Sequence, residues 1–422
     1  MSNRGPTQQY SITDTQLKSL SKNNNIPGIS VATISSNGYI EVTSVGVANN
    51  STDQKVTDQT VFEAASLSKP VFAYIVLKMA EWGEIDLDVP LHEQSKSGFG
   101  PPPLRNTKEY EKITPRMILS HQAGLPNWFK QGEPEKYEEQ PGTAFNYSGV
   151  AYCFLNEVVQ ERSGKSLEKL AQSEFAQIGM TSSSFFQPED GTRASANLAV
   201  GHNAEGKPDE RSHSPKQSEQ RPDGTPFQAN PAASLYTTAE DFSRFLKACV
   251  EDEFIRKNMF FPNIQLSGND QKGIKAGVSD EQLQHISWGL GMGLQQCDDG
   301  STIAFHWGDC DTVRNFAALK FDQTGAYQNG VVCLTNSANG PKVFRQICEP
   351  IVGDLTPVSQ WLSIREQLPM QPIPHVQIDQ TQRRKPLTTL REIHDPLRQA
   401  NTDQRLDKGT RRQNSMDRPK LK

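Results

Sequence analysis

Strand-type patterns lie at both ends of this 422-residue chain, and helical patterns occupy the stretch between them. Near the start, residues 28–47 read as two strands turned at Asn37-Gly38, which we expect at an edge of the sheet. Further β-type runs follow the helical stretch, at residues 289–294, 302–307, 316–321 and 331–335. This order predicts an α+β fold in which both ends of the chain build one sheet and a helical lobe is inserted.

Helical periodicity accounts for most of the stretch between the strands. Besides the helix that follows Ser66, helices are predicted at residues 13–23, 114–120, 149–163, 166–177, 238–249 and 341–351. We divide the chain into a flexible N-terminus at 1–9, one domain at 10–368 and a basic tail at 369–422. The domain is expected to have an α/β lobe at about 10–65 and 285–368 and a mainly helical lobe at about 66–284. The tail lacks apolar periodicity and is predicted to be disordered.

Charge is distributed unevenly along the chain, whose formal net charge is −5. Residues 371–422 carry twelve Lys/Arg against six Asp/Glu, so the body is acidic. We therefore expect no nucleic acid to bind the body, while the tail could contact an acidic partner. No apolar run is long enough to cross a bilayer, and the first 16 residues lack the hydrophobic centre of a secretory signal. A cytoplasmic protein, or one exported by a route without a signal peptide, is expected.

Cysteine and histidine usage argues against a metal centre. The six cysteines are scattered without a C-x-x-C pair, and four of them lie in apolar-periodic stretches as core thiols, which fits a reducing compartment. The eight histidines show no H-x-H or H-E-x-x-H spacing. We expect no metal and no cofactor.

Ser66 and Lys69 form the first candidate for chemistry. The spacing Ser-x-x-Lys occurs three times, at Ser19–Lys22, Ser66–Lys69 and Ser166–Lys169. The first lies near the end of a helix, and the third opens an ordinary amphipathic helix. Only Ser66 follows a strand-like lead-in and precedes a mostly apolar helix, whose periodic residues begin at Val71 and stop before Gly83.

Ser66 has the placement that an activated nucleophile needs. At a helix N-terminus, backbone N–H groups are unpaired and the dipole is positive, which suits an alkoxide and the oxyanion it creates. Lys69 follows one turn later on the same face, and a partly buried ammonium can lose its proton and act as a base. The alternative interpretation is a helix-capping serine beside a solvated lysine.

Two later segments offer the other groups that such a serine requires. Tyr147 lies on a loop directly before a helix, where it can relay protons. A predicted strand ends at His306-Trp307-Gly308, where Gly308 permits close backbone approach and the amide of Asp309 could face an oxyanion. Taken singly, Tyr147 also reads as a packed aromatic and His306 as a strand histidine.

The order and spacing of these motifs favour a catalytic interpretation. Ser66-x-x-Lys69, Tyr147-Ser148-Gly149 and His306-Trp307-Gly308 resemble the signature of the serine β-lactamase and penicillin-binding-protein superfamily, in particular its class C β-lactamase, DD-peptidase and esterase branch. The strings ITPRMILSHQAGLPNW at 113–128, NPAASLYTTAEDFSRF at 230–245 and WGLGMGL at 288–294 are similar to that branch too. The resemblance covers about residues 10–365. It implies an antiparallel sheet flanked by helices, with the active site in the cleft between sheet and helical lobe.

The same resemblance implies a role for each residue. Ser66 would attack a carbonyl and form an acyl-enzyme, and Lys69 would keep this nucleophile poised. Tyr147 would relay protons, and whether Lys69 or Tyr147 takes the serine proton stays open. The amides of Ser66 and Asp309 would form the oxyanion hole. His306 would orient Tyr147 or meet a substrate carboxylate.

Departures from the branch bear on the substrate. Gly149 stands where the tyrosine motif usually ends in an asparagine, which holds the acylamide of β-lactams and peptides. His306 stands where many members carry lysine, and a histidine near pH 7 is a weaker permanent anchor for a carboxylate. Trp307 would narrow the cleft edge. By the same resemblance, His121 is interpreted as a structural element of its loop.

The leading hypothesis is a metal-independent serine hydrolase that acts on a small-molecule ester or amide. The first alternative is a true class C β-lactamase or D-Ala-D-Ala carboxypeptidase, with a β-lactam-like substrate. The second is a non-catalytic scaffold whose basic tail makes the contacts, but a scaffold has no need of Ser66, Lys69 and Tyr147 together. The chain contains no G-x-S-x-G string, which argues against an α/β-hydrolase.

Overall fold

The computed structural model describes residues 12–209, 214–267 and 279–362; the segment 1–9 and the tail 369–422 lie outside these residues. The strands are β1 (Gly28–Ile34), β2 (Ile40–Asn49), β3 (Gln54–Lys55), β4 (Phe62–Ala65), β5 (Gly201–His202), β6 (Pro208–Asp209), β7 (Leu235–Thr237), β8 (Ile264–Gln265), β9 (Ile286–Trp288), β10 (Gly293–Gln296), β11 (Thr302–Asp309), β12 (Arg314–Phe321) and β13 (Tyr327–Thr335). The α-helices are α1 (Asp14–Asn23), α2 (Ser68–Glu81), α3 (Pro102–Arg105), α4 (Pro115–Leu119), α5 (Gly149–Ser163), α6 (Leu167–Ile178), α7 (Arg193–Ala196), α8 (Ala239–Glu251), α9 (Glu253–Met259), α10 (Asp280–Leu283), α11 (Phe344–Val352) and α12 (Thr356–Trp361). Short 3-10 helices cover Leu91–Gln94, Tyr110–Lys112 and Gly340–Lys342.

One antiparallel sheet dominates the described residues, with nine strands in the order β3-β2-β1-β13-β12-β11-β10-β9-β8. Strands from the two ends of the chain meet where β1 pairs with β13, with Ile29 opposite Thr335. The prediction that both ends build one sheet is therefore confirmed. The expectation that the first hairpin lies at the edge is wrong for β1, which is paired on both sides.

Helices cover both faces of the sheet, and the central strands are apolar on both faces as a result. Along β1, Ile29 and Val31 belong to the core shared with α1 and α11, whereas Ala32 and Ile34 belong to the core shared with α8. Successive residues of a strand point to opposite faces, so one continuous apolar run serves both layers. The predicted α+β fold with flanking helices is confirmed.

The helix that follows the candidate nucleophile is apolar on all sides because it is enclosed. Of its 14 residues, all but three are buried, and α2 packs against α6 and α9. Neither α2 nor any other helix in the described part of the chain is long and apolar enough to cross a membrane. The strand that precedes it, β4, pairs with β7 and contacts β11 and β12. The N-terminus of α2 therefore lies at the end of the main sheet.

The strand predicted at 289–294 is wrong in its bounds. Strand β9 ends at Trp288 and β10 begins at Gly293, and the two are paired across a turn. Gly291 in that turn has φ +94°, and a Cβ on Gly289 would lie 2.1 Å from the carbonyl oxygen of Met259. The glycines of this string serve a turn and a close approach, which a strand pattern does not reveal.

Candidate active site

Ser66 lies between the end of β4 and the start of α2, next to a strained residue. Ala65 has φ 49°, in the left-handed region that residues other than glycine rarely adopt. The Ser68 hydroxyl holds this turn by donating to the carbonyl of Ala65 at 2.6 Å and accepting from the N–H of Leu235 at 2.9 Å. The turn leaves the Ser66 side chain partly exposed at the N-terminal end of α2.

Lys69 is fully buried, and its amine contacts the Ser66 hydroxyl. Nζ lies 3.0 Å from Ser66 Oγ and 2.8 Å from the carbonyl oxygen of Ala232. Neither partner is an anion, so burial lowers the pKa of Lys69 from 10.5 to about 7, and the nearby Cys153 side chain opposes part of that fall. An amine that titrates near neutral pH can accept a proton from Ser66.

Tyr147 lies directly before α5 and packs against the same pair. Its side chain is 3% exposed, and its ring centroid is 4.7 Å from Lys69 Nζ. Burial raises the pKa of Tyr147, and the nearby Ser66 hydroxyl opposes part of that rise. Within the described residues the phenol oxygen makes no hydrogen bond of ordinary length. The site therefore places a protonated phenol beside Ser66.

The residue after Tyr147 fixes its position. Ser148 caps α5, because its Oγ accepts from the N–H of Ala151 at 3.0 Å. The Ser148 N–H donates to Nδ1 of His121 at 3.0 Å, which assigns the His121 proton to Nε2. The His121 ring packs on Tyr147 with centroids 4.4 Å apart, and burial lowers the pKa of His121, so it is neutral. His121 thus acts as buried support for Tyr147 as well as a loop element.

His306 enters the site from β11 as a neutral imidazole. Its Nδ1 donates to the carbonyl oxygen of Trp307 at 2.8 Å, which leaves Nε2 as an acceptor. Burial and the charge of Lys69 lower the pKa of His306 to about 3. The ring centroid lies 6.3 Å from that of Tyr147. A neutral acceptor suits the role of orienting Tyr147, whereas it offers no charge to a substrate carboxylate.

Gly308 lets the end of β11 lie against the strand that leads to Ser66. A Cβ on Gly308 would be 2.2 Å from the carbonyl oxygen of Ala64, so a larger residue would force the two strands apart. A second tie fixes the same strand, because Nδ2 of Asn315 on β12 donates to the carbonyl of Glu63 at 2.9 Å. The position of Ser66 therefore depends on the main sheet.

The register of β11 directs the amide of Asp309. Strand β10 pairs with β11 only as far as Phe305. At the hairpin beyond, Cys310 and Val313 exchange both backbone hydrogen bonds. Bonding alternates along an antiparallel ladder, so the N–H of Asp309 points away from β12, on the side that β10 leaves uncovered. This direction is compatible with the oxyanion role that the resemblance implies.

Trp307 and Gly149 both lie close to Tyr147. Trp307 is partly exposed and stacks on Tyr147 with ring centroids 5.1 Å apart and an interplanar angle of 28°. Gly149 is the first residue of α5 and is covered by the indole of Trp128. The structure thus gathers the predicted residues from three distant segments around one serine.

Four residues at this site were not singled out from the sequence. Ala232 accepts from Lys69, Cys153 lies close enough to influence its pKa, and Trp288 packs edge-on against His306 at 5.7 Å. Trp128 is the fourth. Ala232, Trp128 and Trp288 fall within the strings that resemble the β-lactamase branch, and those strings were the signal that could have found them.

Comparison with known proteins assigns the family. The sequence profile of the β-lactamase family matches residues 13–347, so the chain belongs to that family. It is 28% identical over 210 residues to a β-lactamase of Pseudomonas fluorescens, covering 47% of this chain and 56% of the relative. It is 24% identical over 178 residues to esterase EstB of Burkholderia gladioli, covering 34% and 43%. The chain thus spans about half the length of these curated relatives.

Solved structures support the same fold. A class C β-lactamase superimposes with a TM-score of 0.60 at 18% sequence identity, covering 83% of this chain and 94% of that chain. At this identity the similarity concerns the fold alone. The β-lactamase/transpeptidase-like architecture predicted from the motifs is confirmed.

Proposed function

We propose that this chain is a serine hydrolase that forms an acyl-enzyme on Ser66 and cleaves esters in preference to β-lactams. The observation that carries the proposal is the 3.0 Å contact between Lys69 Nζ and Ser66 Oγ at a fully buried lysine. Burying an amine without an anionic partner costs folding free energy. A perturbed lysine in contact with a partly exposed serine therefore favours a catalytic role over a structural one.

The pKa shifts of Lys69 and Tyr147 support a division of roles in the acylation step. Neutral Lys69 accepts the proton of Ser66 while Oγ forms a bond to the ester carbonyl carbon. The carbonyl oxygen becomes an oxyanion, for which the amides of Ser66 and Asp309 are the donors. Burial lowers the pKa of Lys69 to about 7 but raises the pKa of Tyr147, which supports Lys69 as the base and Tyr147 as an acid.

The remaining steps return both groups to their starting states. The bond to the leaving alcohol breaks as Tyr147 gives its proton to the departing oxygen, and the Lys69 ammonium reprotonates Tyr147. A water molecule then attacks the acyl carbon, and its proton passes through the same pair to Ser66 Oγ as the ester bond to the enzyme breaks. Only protein groups and water take part, so we expect activity to persist in EDTA.

The cleft favours an ester over a carboxylate-bearing β-lactam. His306 is neutral because burial and Lys69 lower its pKa to about 3, so it supplies no cation for a carboxylate. Gly149 supplies no side-chain amide for an acylamide group. Both features leave acyl-enzyme formation intact.

The test compares p-nitrophenyl acetate with a chromogenic cephalosporin, using the wild-type chain and Ser66→Ala. We expect Ser66-dependent ester turnover, slow or absent cephalosporin turnover, and a single fluorophosphonate adduct on Ser66 by mass spectrometry. Ester turnover that survives in Ser66→Ala would contradict the mechanism. Fast cephalosporin turnover would favour a β-lactamase, and failure of the native protein to react with either ester or fluorophosphonate would favour a scaffold.

A further inference from the structure

Trp128 occupies the space that a side chain at position 149 would need. A Cβ on Gly149 would lie 2.7 Å from both Cη2 and Cζ2 of the indole and 3.1 Å from the carbonyl oxygen of Asn127. Real Cβ atoms do not approach carbon so closely. Glycine at 149 is thus a condition for the position of Trp128. The tyrosine motif of the β-lactamase branch usually ends in asparagine at this position, and here an indole fills the adjoining space.

The face of α5 that Trp128 covers continues toward Lys69. Gly149 and Cys153 are one turn apart on α5 and therefore share a face. Sγ of Cys153 lies 3.6 Å from Oδ1 of Asn230, which also accepts from the N–H of Ala232 at 2.9 Å. Ala232 in turn accepts from Lys69 Nζ at 2.8 Å. Trp128 packs at the start of this face, over Gly149, and this N-terminal end of α5 is the margin of the site.

The backbone amides at this margin are already engaged. The N–H of Gly149 donates to Oδ1 and to the carbonyl oxygen of Asn127, at 3.0 and 3.1 Å. The N–H of Val150 donates to the same carbonyl at 3.1 Å, and Ser148 Oγ accepts from Ala151. The N-terminal amides of α5 are therefore not offered to a ligand. The exposed group at this margin is the side chain of Trp128, a residue that is 45% exposed.

A second indole, that of Trp307, packs directly on Tyr147. Trp307 stacks on the Tyr147 ring at 5.1 Å, and Trp128 covers the glycine two residues after Tyr147. Two indoles thus lie against the segment 147–149, one on Tyr147 and one on Gly149. Such surfaces bind planar apolar groups through area burial and ring contacts.

We propose that Trp128 is a specificity-determining residue, which gives the cleft an aromatic wall over Gly149 and selects esters whose acyl group carries a planar apolar ring. The proposal rests on the function proposed above. The planar ring is assigned to the acyl group rather than to the leaving alcohol, because the acyl group stays bonded to Ser66 after the alcohol departs. It also explains why this chain combines glycine at position 149 with tryptophan at position 128.

The measurement is the ratio of kcat/KM for p-nitrophenyl phenylacetate to that for p-nitrophenyl acetate, two esters with the same leaving group. We expect Trp128→Ala to lower this ratio by roughly 5- to 20-fold, as loss of an aromatic contact and its buried area implies. Trp128→Phe should retain most of the ratio. The matched control is Trp82→Ala, since Trp82 is 57% exposed at the distal end of α2 and should leave the ratio unchanged.

A second variant moves the indole without removing it. Gly149→Ala should lower the same ratio, and most of that fall should be absent in a Trp128→Ala background, because the indole is the nearest contact of the added Cβ. An unchanged ratio in Trp128→Ala, or equal falls in Trp128→Ala and Trp82→Ala, would overturn this inference alone. Absence of Ser66-dependent turnover of either ester would instead overturn the proposed function.

Discussion

The pair Ser66–Lys69 opens α2, and the pair Ser166–Lys169 opens α6 with the same spacing. At α6, Ser166 Oγ accepts from the backbone N–H of Lys169 at 3.4 Å, and the lysine side chain is exposed. At α2, the lysine side chain is fully buried and its Nζ reaches the serine Oγ. The spacing permits either arrangement, and burial of the lysine decides which one forms.

The difference arises from what surrounds each helix. α6 is amphipathic and leaves one face to water, so a long charged side chain there stays solvated. α2 is enclosed, and the loop before β7 places the carbonyl of Ala232 over Lys69. The capping serine Ser166 and the candidate nucleophile Ser66 thus differ through contacts made by residues far away in the chain.

The largest expected effect separates the two serines. Ser66→Ala should lower kcat/KM for p-nitrophenyl acetate by at least about 10⁴-fold, because the bond-forming atom is removed. Ser166→Ala should leave ester turnover unchanged. Comparable losses in both variants would contradict the assignment of Ser66 as the nucleophile and Ser166 as a helix cap.

The two lysines should differ next. Lys69→Met is expected to lower kcat by about 10²- to 10⁴-fold through loss of the base, and Lys169→Met should not. In the wild type, kcat should rise with pH through about 7, because Lys69 must lose its proton before it can act. A pH profile without this acid limb would show that another group is the base.

Stability gives an independent test of the same lysine. Between pH 7 and 10 the unfolded chain holds a proton on Lys69 that the folded chain has released, since the folded pKa is lowered to about 7. The free energy of unfolding of the wild type, relative to that of Lys69→Met, should therefore increase by about a few kcal/mol as pH rises across that window. Urea unfolding at pH 7 and pH 9.5 measures it; a difference that stays constant with pH would contradict the shift.

His306 lies near Tyr147, at the site of the pair Ser66–Lys69 rather than at Ser166–Lys169. Substitution of His306 should lower activity less than substitution of Lys69. His306→Gln keeps a neutral acceptor, so ester kcat should fall by about fivefold or less, which is the effect that losing one neutral hydrogen bond to Tyr147 during the reaction would have. The acid limb near pH 7 should persist in this variant, because the pKa of His306 is about 3 in the wild type. Loss of that limb in His306→Gln would assign it to the histidine.

The smallest effect concerns helix capping. Ser166→Ala should lower the free energy of unfolding by about 1 kcal/mol, because Ser166 caps α6. Ser66→Ala should not show this loss, since the cap position of α2 is Leu67, without a side-chain cap bond. Thermal unfolding of both variants measures the difference, and an equal loss would show that Ser66 also serves as a cap.

Local patterns predicted the elements that periodicity governs. The helix over residues 149–163 was predicted with the bounds that α5 has, because capping by Ser148 and the left-handed Gly164 are local signals. The division at β9 and β10 was missed, because it depends on glycines that approach the distant carbonyl of Met259. The support that His121 gives to Tyr147 was also missed, since it is a contact between segments.

Local patterns in the chain identify the residues that could carry the chemistry: the order of the three motifs, the apolar helix behind Ser66, and glycine at positions 149 and 308. The protonation states of these residues and the space around them depend on tertiary contacts. Burial among neutral partners moves the pKa of Lys69 toward neutrality and makes His306 an uncharged acceptor, and Trp128 covers Gly149. The physical reason is that protonation and shape depend on the solvent and the neighbours a side chain loses or gains on folding, and these come from segments far apart in the chain.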